Sequence, residues 1–172
     1  MRHLSLICAV VAATAAPAAA DDPPFHIGAR PVWFVTAGPI AGGTVATGAR
    51  GGFVGGELSL SRTVEAHYVG LYVDGYRDFG VDGTYLTFGP ELGWIRRARL
   101  LPLSVGVDGG GAVRFSDERA LGATGRVFVV AAGSFAVFAR YAYLDAAEDD
   151  HVVQLGVTFK FPIAPPFGAA TR

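Results

Sequence analysis

The sequence has little charge and almost no cysteine. Charged residues make up 17% of the 172 residues, a single residue is Cys, and 51% are hydrophobic. This balance excludes a disordered chain, which needs more charge and less apolar content. Basic residues (14) and acidic residues (15) nearly cancel, so no nucleic acid partner is expected. No apolar run is long enough for a helical membrane protein, but short membrane-spanning strands remain open.

Residues 1–20 have the parts of a secretory signal peptide. A short charged region precedes an apolar core at residues 4–11, and an Ala-rich stretch ends at Ala20. The core is too short to span a bilayer. Cys8 lies in this leader, and the residues before it make a poor lipoprotein signal. We therefore expect export and cleavage after Ala20, which leaves a chain without cysteine and without disulfides.

From about residue 26 to residue 161, apolar residues alternate with polar or small ones, which is the period of a β-strand. The last segment is the clearest, with apolar side chains at every second position: Val153, Leu155, Val157, Phe159 and Phe161. Seven earlier segments alternate in the same way, although residues 30–37 are mixed and either face of 64–76 could be the apolar one. The sequence therefore predicts eight strands, each supplying the roughly 9–11 residues that a tilted transmembrane strand needs.

The predicted connections alternate between long and short. The long ones are residues 38–49, 75–83, 116–120 and 145–150, and the short ones are residues 61–63, 96–99 and 132–134. Acidic residues, Asp78 among them, fall in the long connections, and arginines fall in the short ones. This division predicts an up-and-down barrel with long loops outside the cell and short turns in the periplasm.

The direction of the apolar face separates a membrane barrel from a soluble one. The lumen of eight strands is just wide enough to be filled by side chains. The apolar set includes bulky residues such as Phe88, Trp94 and Phe135, which are too large to point inward together. The opposite set is rich in Gly, Ala, Ser and Thr with a few charges, which suits a narrow filled lumen. We therefore predict an all-β, eight-stranded, antiparallel, up-and-down transmembrane β-barrel.

With its leader, its eight amphipathic strands and a closing Val-Thr-Phe-Lys-Phe strand at residues 157–161, the chain resembles the small eight-stranded outer-membrane β-barrel proteins of the outer membrane protein A-like and X-like superfamily. The resemblance implies a barrel over residues 21–161, placed in the outer membrane of a Gram-negative bacterium. It departs from the family pattern in a Pro-rich C-terminal tail at residues 162–172. Pro90, within the fourth strand, predicts a bulge or an interrupted strand there.

Seven charged residues fall on the small or polar face of the predicted strands, and so inside the barrel: Glu57, Glu91, Asp108, Arg114, Arg126, Arg140 and Lys160. Because a buried unpaired charge is costly, they are expected to form ion pairs across the lumen. The favoured interpretation is a structural network that fixes strand register. A gated pore or a small-ligand site is the alternative.

Other motifs give weaker signals. A lipid A deacylase barrel would need a His-x-Ser pair, and none of His26, His67 and His151 has one. The acidic segment 145–151 could hold a hard cation but fits a solvated charge cluster better. Residues 106–111 are Gly-rich but lack the remainder of a phosphate-binding loop. No catalytic, metal or cofactor site is therefore predicted.

The sequence thus predicts a monomeric, non-enzymatic envelope protein with a structural or interaction role. Its expected partners are outer-membrane lipid and lipopolysaccharide, with the barrel-assembly machinery acting during insertion. The alternatives are a narrow channel or small-ligand barrel, and a soluble periplasmic barrel that binds an apolar ligand.

Overall fold

The computed structural model describes residues 32–46, 48–64, 66–97, 102–117, 119–131, 134–145 and 151–163. The predicted signal peptide, the chain between it and Val32, and residues 164–172 of the tail lie outside the described residues. Among the described residues no helix is long and apolar enough to cross a membrane.

The described chain is built from antiparallel strands, each paired with the next along the sequence. They are β1 (Val32–Ala46), β2 (Ala49–Val64), β3 (His67–Asp78), β4 (Gly83–Arg97), β5 (Pro102–Phe115), β6 (Ala120–Ala131), β7 (Phe135–Asp145), β8 (His151–Phe159) and β9 (Phe161–Pro162). β1 pairs with both β2 and β8, which closes the sheet. β9 continues β8 against β1 in the same register, so the wall has eight strands. The predicted fold class is confirmed.

Alternate side chains along each strand point inward and outward. On β8, the inward-facing Val152 and Gln154 are 1% exposed, whereas the outward-facing Leu155 is 65% exposed. The outward set is apolar, as predicted, and includes Leu71, Phe88, Leu92, Trp94 and Tyr143. On the ambiguous third strand Val69 and Leu71 face outward, while Tyr72 and Asp74 are buried. The outer face of the barrel is therefore apolar, and its interior holds the buried polar side chains together with buried apolar ones.

We call the end at which β1 begins the proximal end, and the opposite end the distal end. The distal connections are residues 47–48, 79–82, 116–119 and 146–150, and the proximal ones are 65–66, 98–101 and 132–134. The predicted alternation of long and short connections is wrong, because both ends have connections of two to five residues. Residues 38–46, predicted as a loop, belong to β1.

The glycines in that segment are the physical reason for the error. A Cβ on Gly42 would lie 2.2 Å from the carbonyl oxygen of Leu155 on β8. Glycine is therefore required there by the close approach of two strands in the wall, and not by a turn. Glycine kinks of this kind let a sheet bend sharply enough to close.

Two prolines interrupt the hydrogen-bond ladder without shifting its register. β4 and β5 pair at Phe88↔Gly111 and again at Glu91↔Asp108, with no pair at Gly89 and Pro90 between them. The register is the same on both sides, so this is an interruption and not a bulge. Pro39 on β1 lies at a similar break in the pairing with β8 and β9. Because proline has no N–H to donate, a local gap in the ladder is expected at both positions.

Candidate functional site in the barrel lumen

All seven charged residues of the predicted lumen set lie inside the barrel. Six are at most 8% exposed: Glu57, Glu91, Asp108, Arg114, Arg126 and Arg140. The Lys160 side chain is 12% exposed. Strand alternation places them there, since each occupies the inward parity of its strand.

Arg126, on β6, lies in the middle of the lumen and contacts three carboxylates. Its Nη1 donates to Glu57 Oε2 on β2 at 2.5 Å, and its Nε donates to Asp108 Oδ2 on β5 at 2.6 Å. Asp74 Oδ2 lies 3.8 Å from the same Nη1. The guanidinium carbon also lies 5.0–5.4 Å from the ring centres of three aromatic residues, Tyr72, Phe128 and Phe138. The ion pairs and the aromatic contacts together hold this guanidinium in one orientation.

Toward the proximal end, Lys160 joins two carboxylates. Its Nζ lies 2.8 Å from Glu57 Oε1 and 3.0 Å from Glu91 Oε2. Ser61 donates a further hydrogen bond to Glu91 Oε1. Lys160 lies in the break between β8 and β9, where its backbone N–H donates to the carbonyl of Ser134. The ammonium group therefore links the carboxylates of β2 and β4 in the proximal part of the lumen.

Toward the distal end, Arg140 forms an ion pair with Asp74, which also accepts a hydrogen bond from Thr87 at 2.6 Å. Arg140 Nη1 is 3.5 Å from Gln154 Oε1, and Gln154 Nε2 donates to Asp78 Oδ2 at 3.0 Å. Asp78 further accepts from Thr44 Oγ1 and from the backbone N–H of Gly80. Polar contacts therefore run without interruption from Lys160 to Asp78.

The charges are segregated around the wall. Carboxylates line β2 to β5, and the cations of the network lie on β6, on β7 and just after β8. In a closed barrel of eight strands, β6 faces β2, β7 faces β3 and β8 faces β4. Each cation thus reaches a carboxylate on the opposite side of the lumen. The barrel is therefore crossed by three ion pairs that connect opposite sides of its wall: Arg126–Glu57, Arg140–Asp74 and Lys160–Glu91.

Arg114 differs from the other predicted lumen residues. It is buried near the distal end of β5, but no ion pair between described residues involves it. Its Nε has no hydrogen-bond acceptor among them. The structure therefore brings six of the seven predicted residues into one network and leaves Arg114 apart from it.

The sequence interpretation missed several members of the network. Asp78 was placed in an outer loop, which is wrong: it ends β3 and is fully buried. Asp74, Thr44 and Gln154 were not predicted as site residues, although their inward parity in the strands was a usable signal.

The lumen also contains more aromatic bulk than expected. Tyr72, Tyr76 and Phe128 are at most 3% exposed on the inner face. A Cβ on Gly93 would meet the Tyr68 ring at 2.3 Å, so this glycine makes room for an inward tyrosine. Small residues on the inner face, such as Gly93, thus leave room for large inward-facing side chains on neighbouring strands.

Proton relay or metal binding would depend on the groups of the network and on the histidines. Arginine side chains keep their proton in proteins, so Arg126 and Arg140 cannot relay one. Among the described residues no group of three His, Cys, Asp or Glu could hold a metal ion. Most of the acidic segment 145–151 and His26 lie outside the described residues. His67 and His151 lie exposed at strand ends, where His151 Nδ1 is 2.6 Å from the Tyr141 hydroxyl.

Structural comparison gives the same architecture. Neisserial surface protein A is 14% identical, with a TM-score of 0.54, and the match covers 75% of this chain and 97% of that one. Ail, the attachment invasion locus protein of Yersinia pestis, solved with the heparin analogue sucrose octasulfate, is 14% identical over 77% of this chain and 99% of that one, with a TM-score of 0.41. No family model and no curated protein matches the sequence. The closed eight-stranded wall and the polar lumen lead to one conclusion: the chain has the fold of the small eight-stranded outer-membrane β-barrel proteins.

Proposed function

We propose that this chain is a monomeric integral protein of a Gram-negative outer membrane, with a structural role and no enzymatic or channel activity. The observation that carries the proposal is the continuous ion network in the lumen of a barrel whose outer face is apolar. An apolar exterior of this kind is stable in lipid and exposes aggregation-prone surface in water.

The dimensions of the apolar face fit a bilayer. On β8 the outward positions run from His151 to Phe161, through Val153 and Leu155. Ten residues rise about 33 Å along a strand, or about 25 Å when the strand is tilted by about 40°. Aromatic residues gather at both ends of this band, with Phe159 and Phe161 stacked at the proximal end and Tyr141 and His151 at the distal end. This is the arrangement of interfacial aromatic girdles.

We propose that the wall and the rims of the barrel form its interaction surface, because the connections between strands are short. Because two to five residues connect successive strands, neither end has a long loop that a partner protein could bind. We propose that outer-membrane phospholipid and lipopolysaccharide are the main contacts in the membrane. The barrel-assembly machinery would insert the chain after export and cleavage of residues 1–20.

Gel mobility and conductance test the proposal together. The envelope-fraction protein should migrate as a compact form in SDS and shift on boiling, and planar bilayers containing it should stay electrically silent. Recovery in the soluble periplasmic fraction without a shift would contradict membrane insertion. A steady conductance from the inserted protein would contradict the closed lumen and favour the narrow channel.

A further inference from the structure

We propose that Arg62 and Trp33 form a binding site for the phosphate of a phospholipid headgroup at the proximal rim of the barrel. The proposal rests on the membrane insertion proposed above and adds the ligand and the residues. Arg62, on the outward parity of β2, is exposed, and its guanidinium carbon lies 5.9 Å from the centre of the Trp33 ring. The two residues are direct cross-strand neighbours.

The stacking leaves the arginine free to donate hydrogen bonds. A guanidinium that lies over an aromatic ring uses its face, while its N–H donors point outward in its own plane. No ion pair between described residues involves Arg62. Its described neighbours on the outer face are Leu60 and Val64 on β2 and Val69 on β3, none of which is acidic. The guanidinium of Arg62 thus contacts the Trp33 ring and has no ion-pair partner among the described residues.

The position along the strand selects the occupant. Arg62 lies two residues before the proximal end of β2, and the exposed apolar residues Leu58 and Leu60 precede it on the same face of the strand. The T-shaped pair of His67 and Trp94 lies at the same end of the barrel. In an inserted barrel this is the level at which acyl chains meet headgroups. The anion at that level is the phosphodiester, and a planar guanidinium donates to two phosphate oxygens at once.

The other exposed arginines do not offer the same site. Arg77 forms an ion pair with Asp82. Arg119 lies 5.4 Å over the Phe115 ring, but the exposed carboxylates Asp117 and Asp145 are at the same end of the barrel. Among the described residues, Arg62 combines a ring contact with outer-face neighbours that are not acidic, and Glu65, in the β2–β3 connection, lies outside the described residues.

The test is solid-state NMR of the chain folded in phosphatidylcholine bilayers in a phosphate-free buffer. Arginine side chains carry ¹⁵N, and dephasing of their signals by lipid ³¹P reports contact. The Arg62→Gln variant should lose a dephased component that the wild-type chain shows. The Arg77→Gln variant is the matched control, because it removes an exposed arginine that has a carboxylate partner, and it should leave the dephased component intact. The Trp33→Leu variant should weaken the dephasing without abolishing insertion.

The result separates this proposal from the preceding one. Each sample is first checked for a compact band that shifts on boiling. Samples without the shift would contradict membrane insertion itself. A clear shift with equal dephasing in the wild-type chain and in Arg62→Gln would overturn the phosphate site alone. In bilayers of a galactolipid, which has no phosphorus, the thermal stabilities of the wild-type chain and Arg62→Gln should converge.

Discussion

Arg126 Nη1 and Glu57 Oε2 lie 2.5 Å apart in the middle of the barrel, although 69 positions separate the residues in sequence. The two strands that carry them, β6 and β2, face each other across the lumen and share no ladder. This contact joins opposite sides of the wall directly. Removing Arg126 would leave the buried carboxylates of Glu57 and Asp108 without the positive charge that offsets their desolvation, and leaving a buried charge unpaired is strongly destabilising.

We therefore expect Arg126→Met to lower the free energy of unfolding by about 3–5 kcal/mol. The matched control is Arg77→Met, which removes an arginine whose side chain is 44% exposed and paired with an 88% exposed Asp82. An exposed pair of that kind contributes about 1 kcal/mol or less. Urea unfolding in lipid vesicles, followed by the gel shift, measures both. Equal midpoints for the two variants would argue against a stabilising network.

Glu91→Leu should lower the thermal stability of the barrel and leave any activity unaffected. The change removes one of two carboxylates that contact Lys160 Nζ, and it leaves the Ser61 hydroxyl without its acceptor. Leaving a buried donor without its partner costs about 1–3 kcal/mol. The temperature at which the compact band disappears is the measurement. An unchanged temperature would show that Glu91 is not part of a stabilising network.

Gly93→Ala should destabilise the barrel by about 1–3 kcal/mol, because its methyl group would lie where the Tyr68 ring is. Combining it with Tyr68→Leu should restore part of the loss, since the smaller side chain frees that space. Gly43→Ala is the control: the nearest atom to its new Cβ is 3.8 Å away. Midpoints from urea titration of the four proteins test the prediction, which fails if Gly43→Ala and Gly93→Ala lose equal stability.

The depth of a charge on the outer face should decide its cost. Leu155 is 65% exposed near the middle of β8, and Leu121 is 61% exposed beside the distal end of β6. In a bilayer, an arginine at mid-depth costs about 2–4 kcal/mol and one near the interface about 0–1 kcal/mol. Leu155→Arg should therefore shift the folding equilibrium in vesicles far more than Leu121→Arg. Two equal, small effects would point to a water-exposed outer face.

The two proline gaps predict that the chain can be split. They lie between β4 and β5 and between β8 and β1, on opposite sides of the wall. Among the side chains that the structure describes, the buried charges of β1–β4 are acidic, whereas three cations of the network lie on the other half. A chain cut within residues 98–101 should therefore reassemble from its two fragments in detergent. A cut within residues 132–134 is the control, expected to give less of the compact band on the gel.

Although the outward face of residues 64–76 was left open, alternation was sufficient on the clearer strands to predict which side chains face outward, because the period of a strand is two regardless of its partners. Glu57 and Arg126 could be placed inside for the same reason. That Arg126 pairs with Glu57, and Arg140 with Asp74, could not be predicted, since the stagger between opposite strands depends on how the whole barrel closes.

The errors have identifiable physical causes. The segment around Gly42 was interpreted as a loop because glycine usually marks one, whereas here it allows two strands to approach closely. Asp78 was assigned to solvent because it is charged and near a turn, but Thr44, Gln154 and the N–H of Gly80 satisfy it. Both errors concern residues whose role is set by a neighbour distant in sequence.

The short connections have a consequence for how the cell surface would present this protein. A connection of two to five residues gives a protease active site little chain to bind between two strands. It also offers little accessible chain for an antibody or a phage tail fibre to recognise. In the outer membrane proposed above, most of the protein's exposed surface would therefore contact lipid, and little of it would be accessible from outside the cell.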